Sequence, residues 1–543
     1  MLGLMMNSQL TLTAIMEHAR KFHGDAQIVS VTADEPLHRY RYRDCFARAA
    51  RLANALRRLG ARPGDRVGTL AWNDYRHLEV YFGAACEGLV CHTINPRLFA
   101  EQIDFIVNHA EDRWLFVDPA FLPQLRALQE RLPTVERFVI LGPAASAEGC
   151  GLRDAISYES LIADEPESII WPDLDENTAC SLCYTSGTTG NPKGVLYSHR
   201  ALVLHTYGAL MPDTMNISCR EVVMPVVPMF HVNAWSIPYG AAVVGAKLVF
   251  PGPRMGDGEA LQRLIESESV TLSAAVPTVW LAVLGYLEKT GKRVPSLKRV
   301  IVGGSACPRS IMEAFEQRHG VHVQHAWGMT EMSPMGTLNS PPADWDTLSA
   351  DEQWTLRLKV GRPVFGVDVK IVDPEGDELP WDGESFGSLK VRGPWICSEY
   401  FRIGKGDAHA EDGWFETGDV ATIDARGFVA ITDRIKDVIK SGGEWISSID
   451  LENTAMAHPG VAEAAVIGAS HPKWAERPLL CVVRKPGATV DRGELLAFFE
   501  GKVAKWWIPD DVVFVDDLPH TATGKLSKKD LRERMKDYRF PGT

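Results

Sequence analysis

The chain has 543 residues, 45% hydrophobic and 23% charged, with no low-complexity tract; this length holds several cores and excludes a disordered or fibrous class. Asp and Glu outnumber Lys and Arg 70 to 57, a net charge of −13 that leaves no basic footprint for nucleic acid. A locally positive site for an anion remains compatible with that balance.

Met1–Gln9 carries neither a basic segment nor a small-residue cleavage site, so no signal peptide is expected. Thr11–Phe22 and Arg43–Leu59 have helical spacing. Arg66–Ala71 and Leu89–Ile94 read as short buried strands on either side of the helical Arg76–Glu87. Gln102–Ala110 is helical again, and Trp114–Val117 is a strand. Such alternation predicts parallel sheets covered by helices. A second alternating stretch begins at Ala179 and ends near Gly304, with strands at Lys247–Phe250 and Arg299–Val302. Beyond Gly361, short segments such as Asp368–Val372 and Ser388–Arg392 predict a smaller barrel or antiparallel sheet.

A boundary is expected near Asp433–Lys436. After it come a polar glycine loop (Lys440–Glu444), a helix (Ser448–Ala457), strands at Ala464–Gly468 and Leu479–Val483, and helices at Arg492–Lys502 and Ser527–Tyr538. A membrane-spanning helix needs about 20 apolar residues in a row. Val222–Phe230 is broken by Pro225 and Pro228, and Gly240–Phe250 contains Lys247, so a cytoplasmic protein without a transmembrane segment is expected. The ten cysteines form no dense framework and read as reduced thiols.

The most informative segment is Tyr184-Thr-Ser-Gly-Thr-Thr-Gly-Asn-Pro-Lys-Gly194. Its glycines (Gly187, Gly190) let backbone approach a ligand. Its hydroxyls (Thr185, Ser186, Thr188, Thr189) and Lys193 suit phosphate oxygens. It is not a Walker A loop, because Gly187 and Gly190 stand too close and Gly194 follows Lys193. A GTPase or P-loop motor is therefore disfavoured. The segment resembles the signature of adenylate-forming enzymes: acyl- and aryl-CoA synthetases, peptide-synthetase adenylation domains and luciferases.

Further motifs follow in that family's order. Pro228-Met-Phe-His231 resembles the aromatic–histidine segment beside the acyl pocket, with His231 facing the acid and Asn233 and Trp235 lining the pocket. Gly303-Gly304-Ser305-Ala306 resembles the loop against which adenine and acyl chain pack. His325-Ala326-Trp327-Gly328-Met329-Thr330-Glu331 resembles the segment whose glutamate binds Mg²⁺, assisted by Thr185, while Thr330 meets phosphate. Trp327, Met329 and Val276 would add apolar pocket wall. His319, His322 and His325 recur every third residue, but His322 and His325 would face opposite sides of a strand, which argues against zinc.

Thr417-Gly-Asp419 resembles the element whose aspartate holds the ribose hydroxyls. Asp433-Arg434-Ile-Lys436 resembles the domain junction, with Arg434 on the ribose and Lys436 as hinge, a position where many relatives carry Asp. Lys440-Ser441-Gly442-Gly443-Glu444-Trp445 resembles the loop that enters for the thioester step. Pro519-His-Thr-Ala-Thr-Gly-Lys525 resembles the motif of the C-terminal catalytic lysine.

The resemblance covers nearly the whole chain. It implies an α/β fold with a large AMP-binding domain over residues 1–433, built of two α/β subdomains and a β-barrel-like one. A small mobile α+β domain would follow over residues 434–543. It implies an ATP-dependent, Mg²⁺-requiring acid–CoA ligase that forms acyl-AMP and then acyl-CoA, with Lys525, His231 and Lys440 as catalytic residues. The stretches Leu196-Tyr-Ser-His199, His92-Thr-Ile-Asn-Pro-Arg97 and Lys440–Ile446 are most similar to medium-chain fatty acid–CoA ligases and to 3-methylmercaptopropionate–CoA ligases. Medium-chain fatty acids are the first expectation and the thioether acid the alternative. An adenylating oxygenase and a non-catalytic nucleotide-binding protein are the rivals from other classes. A homodimer is compatible with the resemblance. No carrier-protein domain is read after residue 543.

Overall fold

The computed structural model describes residues 1, 3–185, 191–406, 408–409, 413–441, 444–520 and 526–541, with backbone alone at 444 and 445. These residues form four sheets. In the first, seven strands run in the order Ile156–Ser157, Arg137–Ile140, Asp112–Val117, Arg66–Leu70, Val90–Thr93, Ala179–Tyr184 and Gly194–Ser198. All pairs are parallel except the last. The strands read as nearly unbroken apolar runs because helices cover both faces. Val90–Thr93, for example, is buried at every position.

The second sheet has nine strands. Its parallel centre runs from His322–Gly328 through Arg299–Val302, Leu272–Ala275, Val222–Pro225 and Lys247–Phe250 to Gln27–Ser30. Antiparallel strands close both edges: Met335–Leu338 with Arg362–Pro363 at one, His38–Arg41 at the other. The helix Tyr75–Ala85 lies between the two sheets and is buried along its whole length. Its polar members are paired inside: Arg76 with Asp34 and Glu159 at 3.0 and 2.9 Å, and Glu79 with Arg48 at 2.8 Å. Burial of such charges is tolerated because each has a partner.

The third sheet is antiparallel, in the order Asp368–Val372, Phe386–Arg392, Phe415–Ile423 and Val429–Arg434. The fourth contains Glu444–Ile446, Ile439–Ser441, Ala475–Arg484 and Val461–His471, with Asp511–Phe514 parallel to Ala475–Arg484. It has apolar cores of its own, centred on Leu451, Leu480 and Phe499 and on Ile467, Cys481 and Leu531. The ten cysteines are unpaired. No helix among the described residues is long and apolar enough to cross a membrane.

Most expected elements fall within a residue or two of their observed bounds. Gln27–Ser30 and His38–Arg41 are additions. The latter carries charges on a half-exposed edge and shows no apolar alternation. Two C-terminal helices are shorter than their spacing predicts, at Arg492–Phe498 and Lys528–Arg534.

Candidate active site

Open α/β sheets bind ligands in the crevice beyond the carboxyl ends of their strands. Here Ala179–Tyr184, Val222–Pro225, Arg299–Val302 and His322–Gly328 end on one cavity of about 540 Å³. The third sheet and the 434–437 segment close its other side.

The polar end begins at Thr185, whose N–H donates to the Lys193 carbonyl at 2.9 Å. The Lys193 N–H donates back to the Thr185 hydroxyl at 3.2 Å. This pairing closes the neck of the glycine- and hydroxyl-rich loop. Ser186, Gly187, Thr188, Thr189 and Gly190 themselves lie outside the described residues. The Lys193 ammonium sits 4.7 Å from the Tyr400 ring centroid, and the Tyr400 hydroxyl donates to Glu331 Oε1 at 2.9 Å. The Glu331 side chain is buried, and burial raises its pKa against the opposing pull of Tyr400, Arg434 and Lys193. A carboxylate oxygen on the wall of a cation-rimmed cavity fits a hard divalent ion such as Mg²⁺.

Asp419 stands one layer behind the wall. The antiparallel register places it opposite Arg434. Its Oδ1 lies 2.7 Å from Arg434 Nε, and its Oδ2 accepts the Trp327 indole N–H at 2.9 Å. Gly418, with φ +74°, sits at a register irregularity in its strand, and Thr417 and Gly418 line the cavity. Lys436 lines the cavity as well. Desolvation, with Arg434 among its neighbours, pulls it below the usual lysine range against the opposing Asp437.

The other arm is apolar, walled by Met215, Val227, Val232, Trp235, Val276 and Met335. His231, Gly303, Gly304, Ala326, Trp327, Gly328, Met329 and Thr330 line the cavity as well. Residues 232–236 run with φ between +47° and +58°, a left-handed turn of non-glycine residues. His231, extended just before this turn, and Trp235 within it reach the cavity, while Asn233 is turned away from it. Asn233 therefore does not line the cavity as the sequence suggested. It is buried against the first sheet, accepting the Ser181 hydroxyl at 3.1 Å. Trp235 packs over Gly303, where a Cβ would lie 2.9 Å from the indole.

Ser305, Ala306 and His325 are not among the lining residues either, Ser305 being exposed and His325 buried. His325 accepts the Cys307 N–H at 3.3 Å, and burial lowers its pKa to about 4. His322 instead lies 3.5 Å from Glu316. Lys440 is exposed outside the cavity, and Ser441 is buried, accepting from Arg477 at 3.2 Å. Gly442, Gly443 and Lys525 lie outside the described residues, as do the side chains of Glu444 and Trp445. The neighbour of Lys525, Leu526, lines the cavity.

Three residues with no motif signal complete the site. Tyr400 links Lys193 to Glu331, and Met215 walls the apolar arm. Asn73 is fully buried and donates to the carbonyls of Pro225 and Val227 at 2.9 and 2.8 Å. It also accepts the Met229 N–H at 2.6 Å, so it fixes the segment leading to His231. The only sequence hint is a polar Trp72-Asn73-Asp74 turn after an apolar strand.

The family model described as AMP-binding enzyme matches residues 15–401, and that of the AMP-binding enzyme C-terminal domain matches residues 450–525. A 3-methylmercaptopropionyl-CoA ligase of Ruegeria lacuscaerulensis is 52% identical over 537 residues, covering 99% of each chain. A medium-chain-fatty-acid–CoA ligase of Ectopseudomonas oleovorans is 51% identical over 537 residues, covering 99% of this chain and 98% of its own. Among solved structures, ATP-bound MatB from Rhodopseudomonas palustris superposes with a TM-score of 0.82 at 27% identity, covering 98% and 99% of the two chains.

Proposed function

The chain belongs to the AMP-binding enzyme family, and from that premise we propose the acid, the domain division and the residue roles of an ATP-dependent, AMP-forming acid–CoA ligase. The enzyme takes ATP, Mg²⁺ and CoA. The acid is a medium-chain fatty acid, and the location is cytoplasmic. The observation that carries the reading is one cavity lined both by cations (Lys193, Arg434, Lys436) and by an apolar wall, with His231 and Gly303 also on its lining.

A carboxylate is a poor acyl donor because its leaving group would be oxide. Its attack on the α-phosphorus of ATP expels pyrophosphate and leaves a mixed anhydride. The CoA thiol then attacks the acyl carbon, and AMP departs with the bonding pair while the thiol proton goes to solvent or base. Both reactants of the first step are anions, so the site must neutralise charge and align them. Lys193 and the loop at 185–193 hold phosphate, and Lys525 bridges the acid and the α-phosphate. Glu331, helped by Thr185, would hold Mg²⁺, which supplies charge neutralisation on the phosphates. Arg434 faces the ribose, Asp419 serves the same ribose site from behind it, and His231 orients the acid. The apolar arm excludes water from the acyl chain.

The boundary proposed at residues 433 and 434 lets the C-terminal unit present Lys525 for adenylation. A turn about Lys436 then presents the Lys440–Trp445 loop for thioester formation. Lys525→Ala is expected to lose pyrophosphate release while still converting a supplied acyl-adenylate with CoA. Equal loss of both would end the division of labour.

The test of the acid is AMP and pyrophosphate release from Mg-ATP across straight-chain acids and 3-methylmercaptopropionate, with and without CoA. A CoA-dependent optimum at medium chains supports the reading. An optimum at the thioether acid moves the substrate, release indifferent to CoA points to another acceptor, and no turnover refutes the ligase.

A further inference from the structure

We propose that Ser448 is a positioning residue, the removable half of a latch that holds the C-terminal unit in its adenylation pose. The inference rests on the two-pose reading above.

Asp433 lies one residue before the end of the third sheet's last strand, paired with Val420. Its side chain is nonetheless held by the C-terminal unit. Asp433 Oδ2 accepts the Ser448 N–H at 2.7 Å and the Ser448 hydroxyl at 2.6 Å. The Ser447 hydroxyl donates to the Thr432 carbonyl at 2.7 Å. These bonds cross the Arg434–Lys436 segment and meet at the N-terminus of the helix Ser448–Met456, where an anion is favoured.

Behind Ser448 stands Lys528, whose ammonium donates to the Ser448 hydroxyl oxygen and lies 2.8 Å from Glu452 Oε1. Ser448 Oγ therefore accepts a hydrogen bond from the cation and donates its own to Asp433. Lys528, Glu452 and Ser448 lie on the C-terminal side of the hinge and travel together. So do Asp437 and Arg532, which pair at 2.7 Å. A turn about Lys436 leaves these pairs intact. It must break the bonds of Ser448 to Asp433 and of Ser447 to Thr432. In the present pose Leu526 lines the cavity and Lys440 is outside it, the arrangement that adenylation requires.

If the poses exchange faster than chemistry, the ratio of the two half-reaction rates tracks the pose equilibrium, whichever pose predominates. Ser448→Ala removes one hydrogen bond to a carboxylate, so that ratio should move about tenfold toward thioester formation. Single-turnover pyrophosphate release without CoA measures one rate. Acyl-CoA formed from synthetic acyl-adenylate measures the other. Ser448→Thr, which keeps the hydroxyl, should restore the ratio. A general loss of stability would slow both and leave the ratio unchanged, and an unchanged ratio overturns the proposal. Lys525→Ala in the same assay separates the cases. If it fails to split the half-reactions, the two-pose reading has failed. If it splits them while Ser448→Ala does not shift the ratio, the latch alone has failed.

Discussion

Replacing Asn73 with alanine should cripple the enzyme from a position that touches no substrate. The amide makes three hydrogen bonds to the Pro225–Met229 segment, all buried. Alanine leaves two carbonyl oxygens and one N–H to find other partners in a packed core. Each such group costs about 1–3 kcal/mol when unsatisfied, so the total is about 3–9 kcal/mol if none is recovered. The segment would relax rather than bear that cost, and relaxation displaces His231 and the left-handed turn after it. The expected result is a fall of at least about a hundredfold in kcat/KM for the acid, since 1.4 kcal/mol is tenfold. The KM for ATP should change far less, because Lys193 and Glu331 are held by other contacts. The assay is steady-state CoA-dependent AMP release, varying acid and ATP separately, beside a thermal melt. Asn73→Asp keeps the shape, removes both donations and buries a charge, so it should do at least as much harm. Unchanged acid kinetics in Asn73→Ala, within twofold, would refute the reasoning.

Three other perturbations are expected to be informative. Gly303→Ala places a Cβ 2.9 Å from the Trp235 ring and 3.0 Å from the Ala326 carbonyl oxygen; kcat/KM should fall about tenfold for the longest acids accepted and little for the shortest, as a chain-length series would read. Tyr400→Phe removes the hydroxyl bond to Glu331 but keeps the ring under Lys193, so the KM for Mg-ATP should rise about tenfold with the acid KM unmoved. Asp74 is raised from 3.8 to about 7 by burial, with Asp118 adding to it. Its folded form holds the proton more tightly than the unfolded chain, so its contribution is full below pH 4 and is lost as pH rises toward 7. Asp74→Asn can still cap the helix at His77 N; it should melt higher than the parent at pH 8, and the gap, up to about 4 kcal/mol, should close near pH 4.

What could be read from the sequence divides by the range of the interactions involved. The strands Arg66–Leu70 and Arg299–Val302 and the helix Leu12–Phe22 follow from local periodicity. The expectation for Thr185 to Lys193 rests on composition, since glycine and hydroxyl density has a chemical meaning without any fold; of that segment the structure describes Thr185 and residues 191–193. Tyr400 and Asn73 could not be found that way. Tyr400 acts through contacts to Glu331 and Lys193, and Asn73 through contacts more than 150 positions away. Asn233 shows the limit inside a recognised motif. His231, Asn233 and Trp235 alternate in sequence as a strand would, yet a left-handed turn sorts them differently.

That turn is chosen by its anchors and not by its own residues. A left-handed conformation costs roughly 1–2 kcal/mol per non-glycine residue, and here it spans Val232 to Ser236. In Val-Asn-Ala-Trp-Ser only Asn233 tolerates it readily; the other four favour a right-handed turn continuous with the helix Ile237–Val244. Upstream, Asn73 fixes Pro225 through Met229, and the Tyr81 hydroxyl donates to the Met229 carbonyl. Within the turn, Ser181 holds Asn233. With entry and middle both pinned to the first sheet and its helix, the chain has five residues in which to reach Ile237. The left-handed path lays Trp235 across Gly303. The shape of the apolar arm is therefore set by buried polar contacts of the first sheet, and substitutions there should alter acid selectivity before they alter nucleotide binding.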